Sequence, residues 1–500
     1  MRMWTVRPAR GVRPLRAAGL HRFSSHAHAR YDPYNAVTQR VTPGDAHDGP
    51  LRGWEVSVKE NICMRDVPTT CASRMLKDFR SPIDAAVVEH LRASGARLSM
   101  RTNCDEFGMG GLNIHSEYGP VVNPAPYADL AEPDFSRYAP RAAGGSSGGA
   151  AAAVRAGLCR AAIGTDTGGS VRLPGSYCGT YALKPSYGMI SRWGVVSYAD
   201  SFDTVGIFAR SVADVEAVYA LVAHWDARDA TCVSEDVRGR VQEDVDAALA
   251  RFGDGARPLA NLRVGVPAEM FPAELDPRAA HIVDDVLDAL HAAGASIVPV
   301  SIPVLTRSAG AYYVQALAEA SSNFARFDGV RFGYSAPPAA TYYDTVVNTR
   351  GHGFGDEVRR RILLGTFALT AEAWDSFYLA AHNSRTELQG QVRALFRAGD
   401  RRVGHARGAE DAVDILAYPT CLGPAPLLDV DPSSEYAQDV LNVMANLTGV
   451  PALSAPAAAT LDESDGARLP LGVSFCAQWG HEHVALRVAQ VLGTVSEVLG

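Results

Sequence analysis

Two glycine- and serine-rich segments and one upstream lysine carry the residue types best suited to nucleophilic chemistry. The first segment is Gly144-Gly145-Ser146-Ser147-Gly148-Gly149. The second is Gly164-Thr165-Asp166-Thr167-Gly168-Gly169-Ser170-Val171-Arg172, and the lysine lies in Val58-Lys59-Glu60-Asn61. A flexible linker would account for the first segment, but an alanine-rich helical pattern follows it at once. A phosphate loop needs Gly-Lys-Ser/Thr at its end, which neither segment has, and a dinucleotide fingerprint is also missing. Gly145-Ser146-Ser147-Gly148-Gly149 formally fits the G-x-S-x-G nucleophile elbow, with Ser147 as its serine. That elbow needs a strand directly before it, and Tyr138–Ala143, with Pro140 and Arg141, makes a poor one. In the second segment the glycines before Ser170 let the backbone turn several N–H groups toward one point. An oxyanion hole beside a nucleophile requires that arrangement. A purely structural turn fits the same residues, and residue types alone do not separate the two. Lys59 by itself reads equally as a surface lysine.

The elements that must position these segments alternate in type. Ala85–Ser94 reads as a helix ending at Gly95, followed by a strand over Ala96–Met100. Ala150–Ala156 is a small-residue helix that stops at Gly157. Ser211 reads as the N-cap of Val212–Ala223, with Asp214 in its first turn. Leu262–Val266 and Ser296–Ser301 read as strands flanking an amphipathic helix, Pro277–Ala293, that Asp276 precedes. Val413–Tyr418 and Leu471–Phe475 read as buried strands, and Glu482–Val495 as a closing helix. This order predicts an α/β fold with a sheet wrapped by helices. Ala227–Pro258 reads as a charged, irregular surface excursion, and Pro124–Pro140 as a surface loop.

Composition narrows the setting. Of 500 residues, 47% are hydrophobic and 20% charged, the balance of an ordinary globular chain. No stretch approaches the apolar length of a membrane-spanning helix. The first 31 residues hold seven arginines and no acid before Asp32, which is the pattern of a mitochondrial import signal. Removal near Phe23–Ser25 is expected, so residues 1–25 are assigned to the signal. The chain carries −8 and its first 31 residues +7, leaving −15 for the remainder, which argues against a broad nucleic-acid grip by this chain alone. The eight cysteines form no C-x-x-C pair and fit reduced, buried thiols. The histidines show no metal-binding spacing, so no metal is expected.

Lys59, Gly-Gly-Ser146-Ser-Gly-Gly and Gly-Gly-Ser170, with the two serines 24 positions apart, together resemble the amidase signature family. The resemblance covers nearly the whole chain from Tyr31. It implies a single large domain over residues 31–500, with a central mixed sheet wrapped by helices. It also implies that Ser170 is the nucleophile, that Ser146, after a cis peptide, relays its proton, and that Lys59 is the base. As base Lys59 must be neutral, so burial has to lower its pKa. The N–H groups of Thr167, Gly168, Gly169 and Ser170 would hold the oxyanion.

Further stretches narrow the resemblance to the subfamily of A subunits of glutamyl-tRNA(Gln) amidotransferases. They are Thr69-Thr70-Cys71-Ala72-Ser73, Asn103-Cys104-Asp105-Glu106-Phe107, the run Ala318–Gly329, and Arg359-Arg360-Arg361-Ile362-Leu363-Leu364-Gly365-Thr366-Phe367-Ala368-Leu369. That likeness implies that Arg361 holds the α-carboxylate of glutamine and Asp439, in Tyr436-Ala437-Gln438-Asp439, its α-ammonium. Arg360 is an equally basic neighbour one residue away. The bland readings are a solvated helix face for Arg361 and a surface or capping acid for Asp439. Cys104 stands where the subfamily has methionine, the loop Pro124–Arg141 is longer than usual, and the short stretch between import signal and domain leads us to expect no counterpart of the N-terminal helical extension of bacterial relatives. The resemblance implies no cofactor in this chain, a B-type partner subunit that uses ATP and Mg²⁺ on Glu-tRNA(Gln), a small third subunit, and a place in the mitochondrial matrix. The alternatives are a stand-alone amidase of the same fold and a catalytically silent assembly subunit. Deleting residues 1–31 is expected to leave the protein in the cytosol. Import of the truncated chain, measured by fractionation, would sink the signal assignment.

Overall fold

Short apolar runs between polar turns fold into eleven strands among the described residues of this computed structural model. It describes residues 32–496 apart from 43–47, 131, 405–407 and 410; the import signal assigned to residues 1–25 lies outside them. The strands are β1 (Val37–Arg40), β2 (Glu55–Lys59), β3 (Arg97–Thr102), β4 (Ala161–Asp166), β5 (Tyr181–Lys184), β6 (Thr204–Ala209), β7 (Arg263–Pro267), β8 (Ser296–Val300), β9 (Ile415–Pro419), β10 (Ala452–Leu461) and β11 (Arg468–Ala477). They form one mixed sheet in the order β1-β3-β2-β4-β6-β5-β10-β11-β9-β7-β8. β2 runs parallel to β3 and β4, and β7 parallel to β8 and β9. The strands from β4 through β6, β5, β10 and β11 to β9 alternate in direction. The mixed, helix-wrapped α/β architecture expected from the sequence is therefore present.

The parallel register Val58↔Ile163 sets Lys59 beside the last turn of β4, where Thr165 and Asp166 emerge. Loops that leave the carboxyl ends of neighbouring parallel strands converge on one crevice. An apolar cluster joins the sheet to the helices Ala86–Ala93, Val212–Val222, Pro277–Ala292 and Glu482–Ser496. Ser211 caps its helix by accepting from Asp214 N, and Asp276 accepts from Arg278 N, as the local sequence predicted. The small-residue helix begins at Gly148 and is buried to Val154.

Two departures from the sequence reading stand out. Ala227–Pro258 is not an irregular excursion, because it contains the helix Glu235–Leu249. Its buried stripe is narrow (Val241, Asp244, Val245 and Ala248), and charges on the other faces masked its period. Ser234 before Glu235 and Asp236 was the readable start signal. The reading also assigned no elements between Ser301 and Val413, where a helical layer includes Ser308–Asn323, Tyr342–Gly353, Asp356–Ala368 and Ala380–Leu395. Among the described residues no helix is long and apolar enough to cross a membrane.

Ser308–Asn323 and Asp356–Ala368 cross so closely that a Cβ at Gly365 would sit 1.8 Å from Leu317 O. Backbone cannot yield as a side-chain tip does, so Gly365→Ala should force the helices apart. We expect a loss of about 1–3 kcal/mol or more in denaturant unfolding, and unchanged stability would show that the crossing is looser than described.

Candidate active site

Lys59 ends β2 fully buried, and its Nζ reaches only oxygens of hydroxyls and one carbonyl. Ser146 Oγ lies at 2.8 Å, Ser147 Oγ at 2.7 Å, Thr165 Oγ1 at 3.0 Å and Thr165 O at 3.5 Å. Among the described residues no carboxylate is within ion-pair distance. Burial lowers the lysine's pKa, while Cys104, Asp105, Asp166 and Asp203 pull it up from farther off. Net lowering favours the neutral amine, the form that can accept a proton. Asn61 Nδ2 donates to Thr165 Oγ1 at 3.0 Å, and Ser147 Oγ donates to Thr165 O at 3.1 Å, so the lysine's surroundings are themselves held.

The Gly145–Ser146 peptide is cis, as the resemblance implied. Asp105 N donates to Ser146 O at 3.2 Å, and Ser147 N donates to Ser170 O at 3.1 Å, which ties the two serine segments together. Asp166 anchors the second loop. It pairs with fully buried Arg172 at 2.9 Å and accepts from Gly169 N at 2.9 Å, Val171 N at 3.1 Å and Asn446 Nδ2 at 2.9 Å. Burial alone would raise the Asp166 carboxyl, but Arg172 holds it well below the usual carboxylate range. Gly169 adopts φ +136°, and a Cβ there would meet Asn442 Cβ at 2.7 Å. Backbone freedom and close approach both demand glycine at that position.

One expectation needs correction. The Gly169 N–H is already committed to Asp166 Oδ1, so it is not a free oxyanion donor in this state. Thr167, Gly168 and Ser170 N–H make no hydrogen bond among the described residues. The nucleophile-elbow reading also loses its footing. No strand precedes the first segment, and Ser147 is fully buried, whereas Ser170 keeps 9% exposure.

Asp439 is linked to this loop through two neighbouring tyrosines. A Cβ at Gly168 would clash with Tyr312 Oη, and the next residue, Tyr313, donates to Asp439 Oδ2 at 2.5 Å. Asp439 keeps a partly exposed edge, yet burial pushes its carboxyl up to about 7, against the pull of Tyr313 and Arg361. Arg361 is 4% exposed and Arg360 52%, so only Arg361 points inward. Its guanidinium donates to Glu357 Oε1 at 2.7 Å, Tyr198 Oη at 3.3 Å and Glu435 Oε1 at 3.3 Å, and stacks 5.5 Å above the Tyr436 ring.

Sequence reasoning missed Thr165 as a lysine partner, Tyr313, and the two glutamates that grip Arg361. The four-residue spacing of Glu357 and Arg361 on one helix was a usable signal; for Glu435 there was none. His115, Glu357 and Glu435 place ligand atoms within 4.8 Å of one another. Because the Arg361 cation is bonded to both glutamates, the group is an ion-pair network.

The arrangement can therefore support acyl transfer by a serine activated through a buried amine. Comparison with known proteins agrees in class. The profile of the family described as Amidase matches residues 18–486, and the chain belongs to that amidase family of enzymes. Within it, the sequence is 44% identical over 483 residues to the mitochondrial glutamyl-tRNA(Gln) amidotransferase A subunit of Mycosarcoma maydis, covering 93% of this chain and 89% of the relative. It is 41% identical to the glutamyl-tRNA(Gln) amidotransferase A subunit of Methanospirillum hungatei, covering 82% of this chain and 86% of the relative. The crystal structure of the corresponding Thermotoga maritima A subunit superposes with a TM-score of 0.70 at 30% identity, over 95% of this chain and 90% of that one.

Breaking the buried Asp166–Arg172 pair should loosen the whole nucleophile loop. Asp166→Asn is expected to cost about 3–5 kcal/mol at neutral pH. Because the folded carboxyl titrates below its unfolded value, its contribution is present above the unfolded pKa. The gap to wild type should therefore narrow as pH falls below about 4. A constant gap in urea titrations across that range would contradict this.

Proposed function

We propose that this chain is the glutamine-hydrolysing subunit of a glutamyl-tRNA(Gln) amidotransferase. The observation that carries the reading is the buried Lys59 amine, bonded to the hydroxyl of Ser146 beside the Ser170 loop and free of any carboxylate partner among the described residues. In this reading Ser170 Oγ attacks the γ-amide carbon of glutamine while its proton passes through Ser146 to neutral Lys59. The oxyanion sits on the N–H groups of Thr167, Gly168 and Ser170, which stabilise charge as it develops. The relay returns the proton to nitrogen, the C–N bond breaks, and ammonia leaves a γ-glutamyl ester. Water, activated by the same relay, then releases glutamate and restores Ser170.

Arg361 and Asp439 supply the substrate choice. Arginine can meet a carboxylate with two parallel N–H bonds, and Asp439 offers the opposite charge to an α-ammonium. This pair favours an amino-acid amide over a simple amide. Relatives named as the A component of that enzyme support an assembly with a B-type subunit, which would use the ammonia with ATP and Mg²⁺ on Glu-tRNA(Gln), and with a small third subunit. Mitochondrial names among the relatives and the basic N-terminus support placement in the mitochondrial matrix, with residues 1–25 as import signal and 31–500 as the glutaminase domain.

Ser170→Ala should abolish glutamine hydrolysis and covalent labelling by a glutamine-like electrophile, while ammonia-driven amidation by the assembled complex persists. Lys59→Arg should be as inactive as Lys59→Ala, since arginine cannot give up its proton near neutral pH. A label mapped to Ser146 would reverse the two serine roles, and activity in Lys59→Arg would remove the base assignment.

Arg361→Ala and Asp439→Ala should each raise KM for glutamine strongly, with exogenous ammonia bypassing both defects. Unchanged glutamine use in both variants would remove the amino-acid clamp.

A further inference from the structure

Arg361 reaches the proposed substrate already engaged by acids. Glu357, 2% exposed, is shared between Arg361 and the half-exposed Arg360, whose Nη1 lies 2.6 Å from Glu357 Oε2. Glu435, 1% exposed, bonds Arg361 through Oε1 and accepts from Gly111 N at 3.0 Å through Oε2. With two arginines and two glutamates the cluster is electrically neutral, and a neutral cluster is a weak receptor for a carboxylate. His115 changes that balance. Its Nε2 lies 3.3 Å from Glu435 Oε2, on the side away from Arg361, and its side chain is 21% exposed. The backbone N–H of His115 donates to Asp105 Oδ1 at 2.9 Å, which fixes the residue in place.

We propose that His115, in its protonated form, is a positioning residue for substrate. By pairing with Glu435 it frees the Arg361 guanidinium to bind the α-carboxylate of an amino-acid amide. This inference rests on the glutamine reading. The protonated cluster carries one net positive charge and Asp439 one negative, the pattern that matches a zwitterionic α-amino acid head. His115 Nε2 is a buried nitrogen without a hydrogen-bond partner among the described residues, and Glu435 Oε2 at 3.3 Å is the acid within ion-pair distance of it. Asp105 and Glu106 face His115 from the segment before it, Glu357 from the helix Asp356–Ala368, and Glu435 from the turn before Asp439. Burial lowers the histidine's pKa, but Glu435, Asp105 and Glu357 outweigh it, and the net direction is up. Since the protonated form is the binding form, affinity should be highest below that pKa and fall as pH rises through it. By linkage, bound substrate must in turn strengthen the hold of His115 on its proton.

The test measures glutamine binding by calorimetry to the full chain carrying Ser170→Ala, from about pH 6 to about pH 8.5, the window in which histidine charge is lost. Three chains are compared: His115 intact, His115→Gln and His115→Lys. With His115 intact, affinity should fall about tenfold across the alkaline limb, within the usual range of coupling between two sites. His115→Gln should bind weakly throughout and lose that limb. His115→Lys should bind tightly and also lose it, because its charge does not titrate there. Asp439, pushed up to about 7, should supply the same acid limb in all three. Survival of the alkaline limb in His115→Gln, or weak binding by folded His115→Lys, overturns this inference alone. Absence of glutamine binding at every pH in the intact chain overturns the glutamine reading and this inference together.

Discussion

A lysine amine buried without a carboxylate is the constraint on which the rest depends. Every acid near Lys59 is committed elsewhere: Asp166 to Arg172, Asp203 to Thr167 Oγ1 and two backbone N–H groups, Asp105 to Asn113 N and His115 N. If one of them were free to pair with the amine, it would hold the lysine in its charged form, which can accept no proton. The fold thus separates fixed charge from hydroxyls within one crevice. Burial then lowers the pKa of the amine, while the hydroxyls satisfy its hydrogen bonds.

That separation is built by the sheet. β2 and β4 run parallel, so the amine and the loop after Asp166 leave the same edge. The Asp166–Arg172 pair then fixes the course of that loop, with Gly169 N and Val171 N donating to the same carboxylate. One buried cation in the crevice is thus ion-paired, while the Lys59 amine has only hydroxyl and carbonyl oxygens around it among the described residues.

The charged groups proposed to hold the substrate belong to a different layer. Arg361, Tyr312 and Tyr313 come from the helices that follow β8, and Asp439 and Glu435 from the turns before β10. These parts meet the nucleophile loop through Gly168 against Tyr312 and Gly169 against Asn442. The proposed hydrolytic residues thus sit at strand ends of the sheet, and the proposed charge-reading residues on the helical layer and the turns before β10.

The residues able to do chemistry were legible because they are local patterns: a lysine, two Gly-Gly-Ser segments, and caps and periods that mark many of the helices and strands. The helix Glu235–Leu249 was hidden because its apolar stripe is narrow, and the helical layer after Ser301 carried no single strong boundary. The sequence determined the class of chemistry only through the family resemblance that Lys59 and the two Gly-Gly-Ser segments carry together, and it determined the order of the parts. Tertiary structure alone decided which atoms meet. Lys59 lies 87 residues from Ser146, Arg361 74 from Glu435, and Gly111 324 from Glu435. Contacts over such distances depend on the path of the whole backbone. For that reason the choice of Arg361 over its neighbour, the loss of the Gly169 donor to Asp166, and the place of His115 behind Glu435 became visible only in the folded chain.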